Sequence, residues 1–236
     1  MSGLWGDVKL AARMLVKRPG FTAVAVITLA LGIGANTAIF SVVNRLMFRP
    51  LPVPEAGRLV ALTETEEGMP FPHALSYPNF LDYRAMDEIF ADASVFVPYF
   101  FRMSVDGAAP ERFIPLVVGP TFFEMLDLQA ARGRTFRAQD VEGGGAGSVF
   151  VLSHSAWQRF FGGDPSVIGQ SVRLNDQPFT ILGVTPEDFH GTIGIMEVDG
   201  YVPLSGAELT DPSLRETFED RASDNFRVIA KLQPGV

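Results

Sequence analysis

Three histidines, His73, His154 and His190, and 27 carboxylates are the side chains of this 236-residue chain that could carry acid–base or metal chemistry. Two histidines ligate one metal from a helix when they stand at i and i+4, and these three are far apart, so no metal site is assigned. A pair of acids can flank a glycosidic bond, but the separation that matters there is spatial. Glu64, Glu66 and Glu67, and Asp188 near His190, therefore read as surface acids. His154 stands between Ser153 and Ser155, where its simplest role is to pass the chain from a strand into a capped helix. No G-x-S-x-G elbow occurs, and the absence of cysteine removes disulfides, thiolate zinc sites and thiol catalysis together. Phosphate chemistry fares no better. Gly32 and Gly34 begin a G-x-G pair, but Thr37 occupies the third glycine position, and the run GGGAGS at 143–148 has no lysine to meet a β/γ phosphate. No catalytic, cofactor-binding or metal-binding residue is expected.

The glycine pair belongs to a different kind of element. Residues 19–44 contain no charged side chain, and residues 21–43 are mostly Phe, Val, Ile, Leu and Ala. At about 1.5 Å per residue the stretch is roughly 35 Å long, enough to cross about 30 Å of hydrocarbon with some tilt. A buried core helix is usually shorter. A cleaved signal peptide, with its cut near residues 35–38, has a shorter apolar region and a shorter polar lead. A transmembrane helix over 19–48 is the expectation. Within it Ala30, Gly34 and Ala38 share one face, and Thr28, Gly32 and Asn36 share another. Small residues permit close helix approach and Asn36 can hydrogen-bond across an interface, so one of these faces is expected to pack against a second helix.

Lys9, Arg13, Lys17 and Arg18 precede the span with Asp7 as the lone acid, and Arg45 and Arg49 follow it, which favours a cytoplasmic N-terminus. Leu4, Val8, Ala11, Met14 and Leu15 recur at helical spacing, predicting an amphipathic helix over 1–18 that lies on lipid or on a cytoplasmic subunit. Pro19 and Gly20 end it. Residues 51–236 hold 13 basic and 26 acidic side chains, an acidic balance that argues against nucleic acid as a partner. Pro50, Pro52 and Pro54 predict an extended connector over 49–57.

An outer domain is expected over 58–236, long enough to bury its own core. RLVALTE, ASVFVPYFFRMSV, ERFIPLVVG, SVFVLSH, GYVPL and NFRVIAKL read as strands, with Pro98 and Pro115 marking edges or bulges. SYPNFLDYRAM is a helix with Pro78 in its first turn, and PTFFEMLDL is another. Ser155 and Gln158 suggest a capping box for a third. QSVRLNDQPFTILGV is a hairpin turning at Asn175 and Asp176. The aromatic side chains, Phe96, Tyr99, Phe100, Phe101, Phe122, Phe123, Trp157, Phe160 and Phe161 among them, are read mainly as core. The loops at 143–147 and 210–224 read as mobile. Eight or nine strands interspersed with short helices give an α+β class: an extracytoplasmic α+β domain preceded by one transmembrane helix and an N-terminal amphipathic helix.

The run RMLVKRPGFTAVAVITLALGIGANTAIFSVVNRLMFRPLP resembles the first membrane segment of MacB-like ABC transporter permeases, especially stand-alone permeases without a fused ATPase. The resemblance continues through SYPNFLDYR, GRTF, VLSHSAWQRFFGGDPSVIGQSVRLNDQPFTILGV, DGYVPL and RVIAKLQPGV, over nearly the whole chain. It implies a periplasmic core domain after the first span, an inner-membrane location and three further helices beyond residue 236, so the chain is expected to be a fragment. It also implies as partners a separate cytoplasmic ABC ATPase, a second permease half or a second copy, and membrane lipid. ATP-driven helix motion would then pass to the outer domain for export or extrusion. A membrane-anchored binding or sensor module is the alternative, and a tethered enzyme a third.

Overall fold

The computed structural model describes residues 6, 13, 15–47, 51–65, 68, 71–105, 108–141, 148–193 and 196–236, with side chains of the first long helix described as far as Ser41. The chain divides into two compact units, Met1–Arg49 and Pro50–Val236.

The first unit holds α1, Pro19–Met47. Proline starts it where a missing N–H costs nothing. Within Pro19–Ser41 an 18-residue window has a mean hydropathy of 2.0, and none of that window is buried. A helix apolar on all sides and covered on none is what a bilayer solvates best. Its hydroxyls bond inward: Thr28 Oγ1 donates to the Val24 carbonyl at 2.9 Å and Thr22 Oγ1 to that of Leu15 at 2.6 Å. Arg18 interrupts the helical path between Lys17 and Pro19, as the Pro-Gly pair predicts. Leu4, Val8, Ala11 and Met14, which define the expected amphipathic lead, lie outside the described residues.

The second unit is one sheet, eleven strands among the described residues. In chain order they are β1 Leu59–Leu62, β2 Phe90–Pro98, β3 Phe101–Ser104, β4 Glu111–Phe113, β5 Pro115–Val118, β6 Arg132–Gly133, β7 Val149–Leu152, β8 Ser171–Leu174, β9 Gln177–Val184, β10 Gly200–Pro203 and β11 Arg227–Leu232. Spatially the order is β1-β11-β2-β5-β10-β7-β9-β8-β3-β4, with β6 beside β9. Pairs β5–β10 and β7–β9 are parallel and the others antiparallel. This is the mixed, short-helix architecture expected of the α+β class. Side chains alternate along the strands into two cores on opposite faces: Val117, Phe150, Leu152, Val202 and Val228 on one, Leu116, Val118, Val151, Tyr201 and Ile229 on the other. Strands β5 and β10 are buried at every position, which explains their unbroken apolar runs.

Among the described residues six α-helices decorate the sheet: α2 Tyr77–Arg84, α3 Phe122–Met125, α4 Ala138–Val141, α5 His154–Phe161, α6 Leu204–Thr210 and α7 Leu214–Glu219. Ser76 caps α2 by accepting the Asn79 N–H, with Pro78 in the first turn as read. Asn175 and Asp176 both adopt positive φ, 44° and 66°, the two-residue turn that matches strand twist.

Several expectations are corrected. The cap of α5 is Ser153, whose hydroxyl accepts the Ala156 N–H at 3.1 Å; Ser155 lies inside the first turn, so no Ser155–Gln158 box forms. Pro98 and Pro115 sit in interior strands, at the last residue of β2 and the first of β5, where no ladder donor is required. The connector is turned rather than extended: Val53 N–H bonds the Leu51 carbonyl, Glu55 takes a φ of 53°, and Leu51 and Val53 pack on the second core. The 210–224 loop contains α7, held by buried Phe218 against Tyr77 and Phe226. The companion expectation at 143–147 lies outside the described residues. Of the nine aromatics named from sequence Phe100 is the exposed one, at 67%, and Phe71 in the same domain is exposed as well.

The start and end of the sheet meet. In β1–β11 Leu59 faces Lys231, Arg58 donates twice to the Leu232 carbonyl at 3.0 and 2.6 Å, and Glu55 pairs with Lys231 at 2.6 Å.

Candidate functional site

On α1, Ala30, Gly32, Gly34, Asn36 and Ala38 are all exposed. A Cβ added at Gly32 or Gly34 would meet nothing within 4 Å. Positions two apart on a helix are separated by about 200°, so the Ala30–Gly34–Ala38 stripe and the Thr28–Gly32–Asn36 stripe lie on nearly opposite sides. Each is a shallow strip on an otherwise apolar cylinder.

The titratable groups sort differently from their sequence positions. His73 pairs backbone to backbone with Glu64, at 2.9 and 3.1 Å. His154 and His190 share a small cleft of about 200 Å³ with Glu187 and Glu197, a juxtaposition that residue spacing hides because it joins the start of α5 to the loop after β9. Among the described residues no group of three or more His, Asp or Glu side chains is arranged to hold a metal ion. The two serines of the cleft bond each other at 3.2 Å, and Ser153 is committed to the α5 cap.

The strongest polar construction of the domain is at Asp199, immediately before β10. Its side chain is 8% exposed. Oδ2 accepts the Ile114 N–H at 2.7 Å, and Oδ1 accepts Arg159 Nη2 at 2.6 Å. Its own N–H bonds the Ile114 carbonyl and its carbonyl receives the Ser153 N–H. Through its carboxylate and its backbone together, Asp199 therefore fastens the entrance of β5, helix α5 and the β7–α5 corner to the start of β10. Arg159 in turn lies over the Phe160 ring, 4.3 Å from its centroid. A buried charge held this way fixes geometry, since losing a partner leaves an unpaired ion in a dry place. Sequence reasoning assigns Asp199 no role, because an aspartate ahead of a strand reads as a surface acid; the signal is its position in the DGYVPL run. Next to it Tyr201 is fully buried among Phe122, Phe123 and Phe189, and burial pushes its hydroxyl's ionisation far up. These contacts build rigidity.

The family model for the MacB-like periplasmic core domain matches residues 22–236, from inside α1 to the last residue. The chain belongs to this family. Solved structures agree at the level of fold. The periplasmic region of MacB from Actinobacillus actinomycetemcomitans superposes with a TM-score of 0.54 at 16% identity, covering 75% of each chain. A permease-protein domain from Porphyromonas gingivalis gives 0.53 at 17%, covering 78% of this chain and 76% of that one. The extracellular domain of the ABC-type transporter YknZ from Gram-positive bacteria gives 0.50 at 16%, covering 75% and 83%. Two curated relatives align with shorter segments. A Pseudomonas syringae pv. tomato protein, SyfD, named for syringafactin export as an ATP-binding/permease protein, is 34% identical over 70 residues. An export ATP-binding/permease protein of Pseudomonas fluorescens is 31% identical over 71. These cover 30% of this chain and only 10% and 11% of the relatives, so the MacB-like chain spans about a tenth of their length. It joins an apolar helix with the composition of a membrane span to an extracytoplasmic-type domain.

Proposed function

We propose that this chain is the first membrane helix and the outer domain of an ABC transporter permease that couples ATP-driven helix motion mechanically to events outside the membrane. The observation that carries the reading is the family match, which begins at residue 22 within α1 and continues unbroken through the sheet. A span and a stiff domain on one chain form a lever, and the Asp199 clasp keeps its core strands from shifting against one another. In this reading the energy source is a cytoplasmic ABC ATPase, taken as a separate subunit. Export is the direction supported by the names of the two curated relatives. Domain limits follow the sequence reading: 1–18 cytoplasmic, 19–48 membrane, 49–57 connector and 58–236 outside, in the inner membrane. One of the two small-residue stripes serves helix contact with the rest of the permease or with a second half or second copy; lipid covers what remains.

The absence of native cysteine makes a clean test available. Ala38→Cys, labelled through its thiol with a photoactivatable benzophenone maleimide in membranes that also hold the remaining permease and its ATPase, should on illumination cross-link by C–H insertion to a second membrane helix, with a yield that changes on adding a non-hydrolysable ATP analogue. A phosphatase fused after Val236 should be active and a fluorescent protein there dark. A cross-link indifferent to nucleotide sinks the coupling, and the inverse fusion pattern sinks the topology.

A further inference from the structure

Residues 51–236 carry 13 basic against 26 acidic side chains, so a cluster of arginines on this surface calls for a cause. One exists. In the β3–β4 register Arg102 lies directly opposite Arg112. In the β3–β8 register Ser104 faces Arg173, which puts Arg173 diagonal to Arg102 on the same side. All three are exposed, while Phe101, Met103, Phe113 and Leu174 fill the other face of these strands. Like charges directly opposite across a sheet are destabilising. Among the described residues neither Arg102 nor Arg112 has a carboxylate partner. Arg112 rests 5.4 Å over the Phe100 ring, and Arg173 donates to the Asp176 backbone carbonyl. Among the described residues Asp176, at the hairpin turn, is the one acid lining the basin of about 680 Å³ that Arg102 and Arg112 border.

Phe100 is also the wall of a second hollow. On its other side a groove of about 380 Å³ is lined largely by apolar side chains, among them Pro98, Tyr99, Leu214, Phe218 and Phe226. A guanidinium pair matches the oxygens of a phosphate or carboxylate, and the groove matches hydrocarbon. An exposed phenylalanine between the two joins one chemistry to the other.

We propose that this corner of the domain binds a single-chain anionic amphiphile, its phosphate or carboxylate head between Arg102 and Arg112 and its acyl chain past Phe100 in the groove. Binding relieves the opposed arginine charges, which gives the pair a function that its cost to the apo sheet otherwise lacks. The site stands apart from the permease reading, since occupancy is measurable whether or not the chain moves cargo.

The test uses the full chain in nanodiscs of zwitterionic lipid, with a diazirine-bearing dodecyl phosphate as the probe and mass spectrometry as the readout. Labelling is expected within residues 97–118 and 210–226. Unlabelled dodecyl phosphate should compete, and dodecanol or inorganic phosphate at equal concentration should not. Arg102→Gln/Arg112→Gln should weaken labelling there about tenfold or more, without lowering the melting temperature, because it removes a repulsion. Labelling confined to α1, or unchanged in the double variant, overturns the proposal. Competition by inorganic phosphate alone reduces the site to a simple anion site, and equal competition by dodecanol reduces it to a greasy groove; either result also overturns it.

Discussion

At Ser153 a single hydroxyl accepts the Ala156 N–H with the backbone extended at ψ 156°, and that geometry starts α5. Ser153→Ala should lower stability by about 1 kcal/mol, and Ser155→Ala by less than about 0.5, read as the shift in chemical-denaturation midpoint. Two serines two positions apart are equally good caps by type; which one serves depends on where β7 releases the chain, and residue types do not state that. Asp140 illustrates charge at the same scale. The Arg134 guanidinium, donating at 2.6 and 2.9 Å, holds its carboxyl below the usual aspartate range; the Arg137 N–H helps and burial opposes. A carboxylate depressed on folding contributes stability that is complete above its unfolded pKa and drains away as pH falls through the folded one. With Arg134 half exposed, the contribution is at most about 1 kcal/mol. Asp140→Asn should melt lower than the parent at neutral pH, and melting curves taken down the acid side should converge. A constant gap at all pH values would remove the charge as the cause.

Strand β6 is two residues long and exists because Gly133 and Gly183 face one another across β6–β9. A Cβ at Gly183 would lie 2.4 Å from the Arg134 carbonyl oxygen and 2.7 Å from that of Arg132, both backbone atoms that cannot swing aside. Gly183→Ala should therefore cost about 2 kcal/mol or more, seen in the melting temperature, with the β6 amides exchanging faster in hydrogen-exchange measurements. Elements with local signatures were legible from sequence: α2 through Pro78, and the β8–β9 hairpin through Asn175 and Asp176; the Ser76 cap emerged only in the structure. The sheet order was not, because strand partners are chosen by contacts distant in the chain; the parallel pairing of β5 with β10 joins residues 115–118 to 200–203. Helices α6 and α7 were missed for a related reason. Each is under two turns long, too short to display a period, and α7 is held largely by packing of Phe218.

For the molecule as a whole, composition and order carried the reading: a chargeless helix, a turn, then an acidic domain whose motifs follow the MacB-like sequence. The helix stripes could be named from spacing alone. The Arg102–Arg112 pair and the His154–His190 cleft could not, since each needs a register or a loop path before it exists. One feature of the sheet bears on how such a domain would withstand load. Strands β1 and β11 run antiparallel with Leu59 facing Lys231, so residues 55 and 232 stand at the same end of their ladder. Tension drawn between those points peels hydrogen bonds apart singly, as a zipper opens, and does not tax them all at once. The Arg58 and Glu55 contacts to Leu232 and Lys231 sit at the zipper's tab, a rivet that has to fail before the first rung of the ladder is strained.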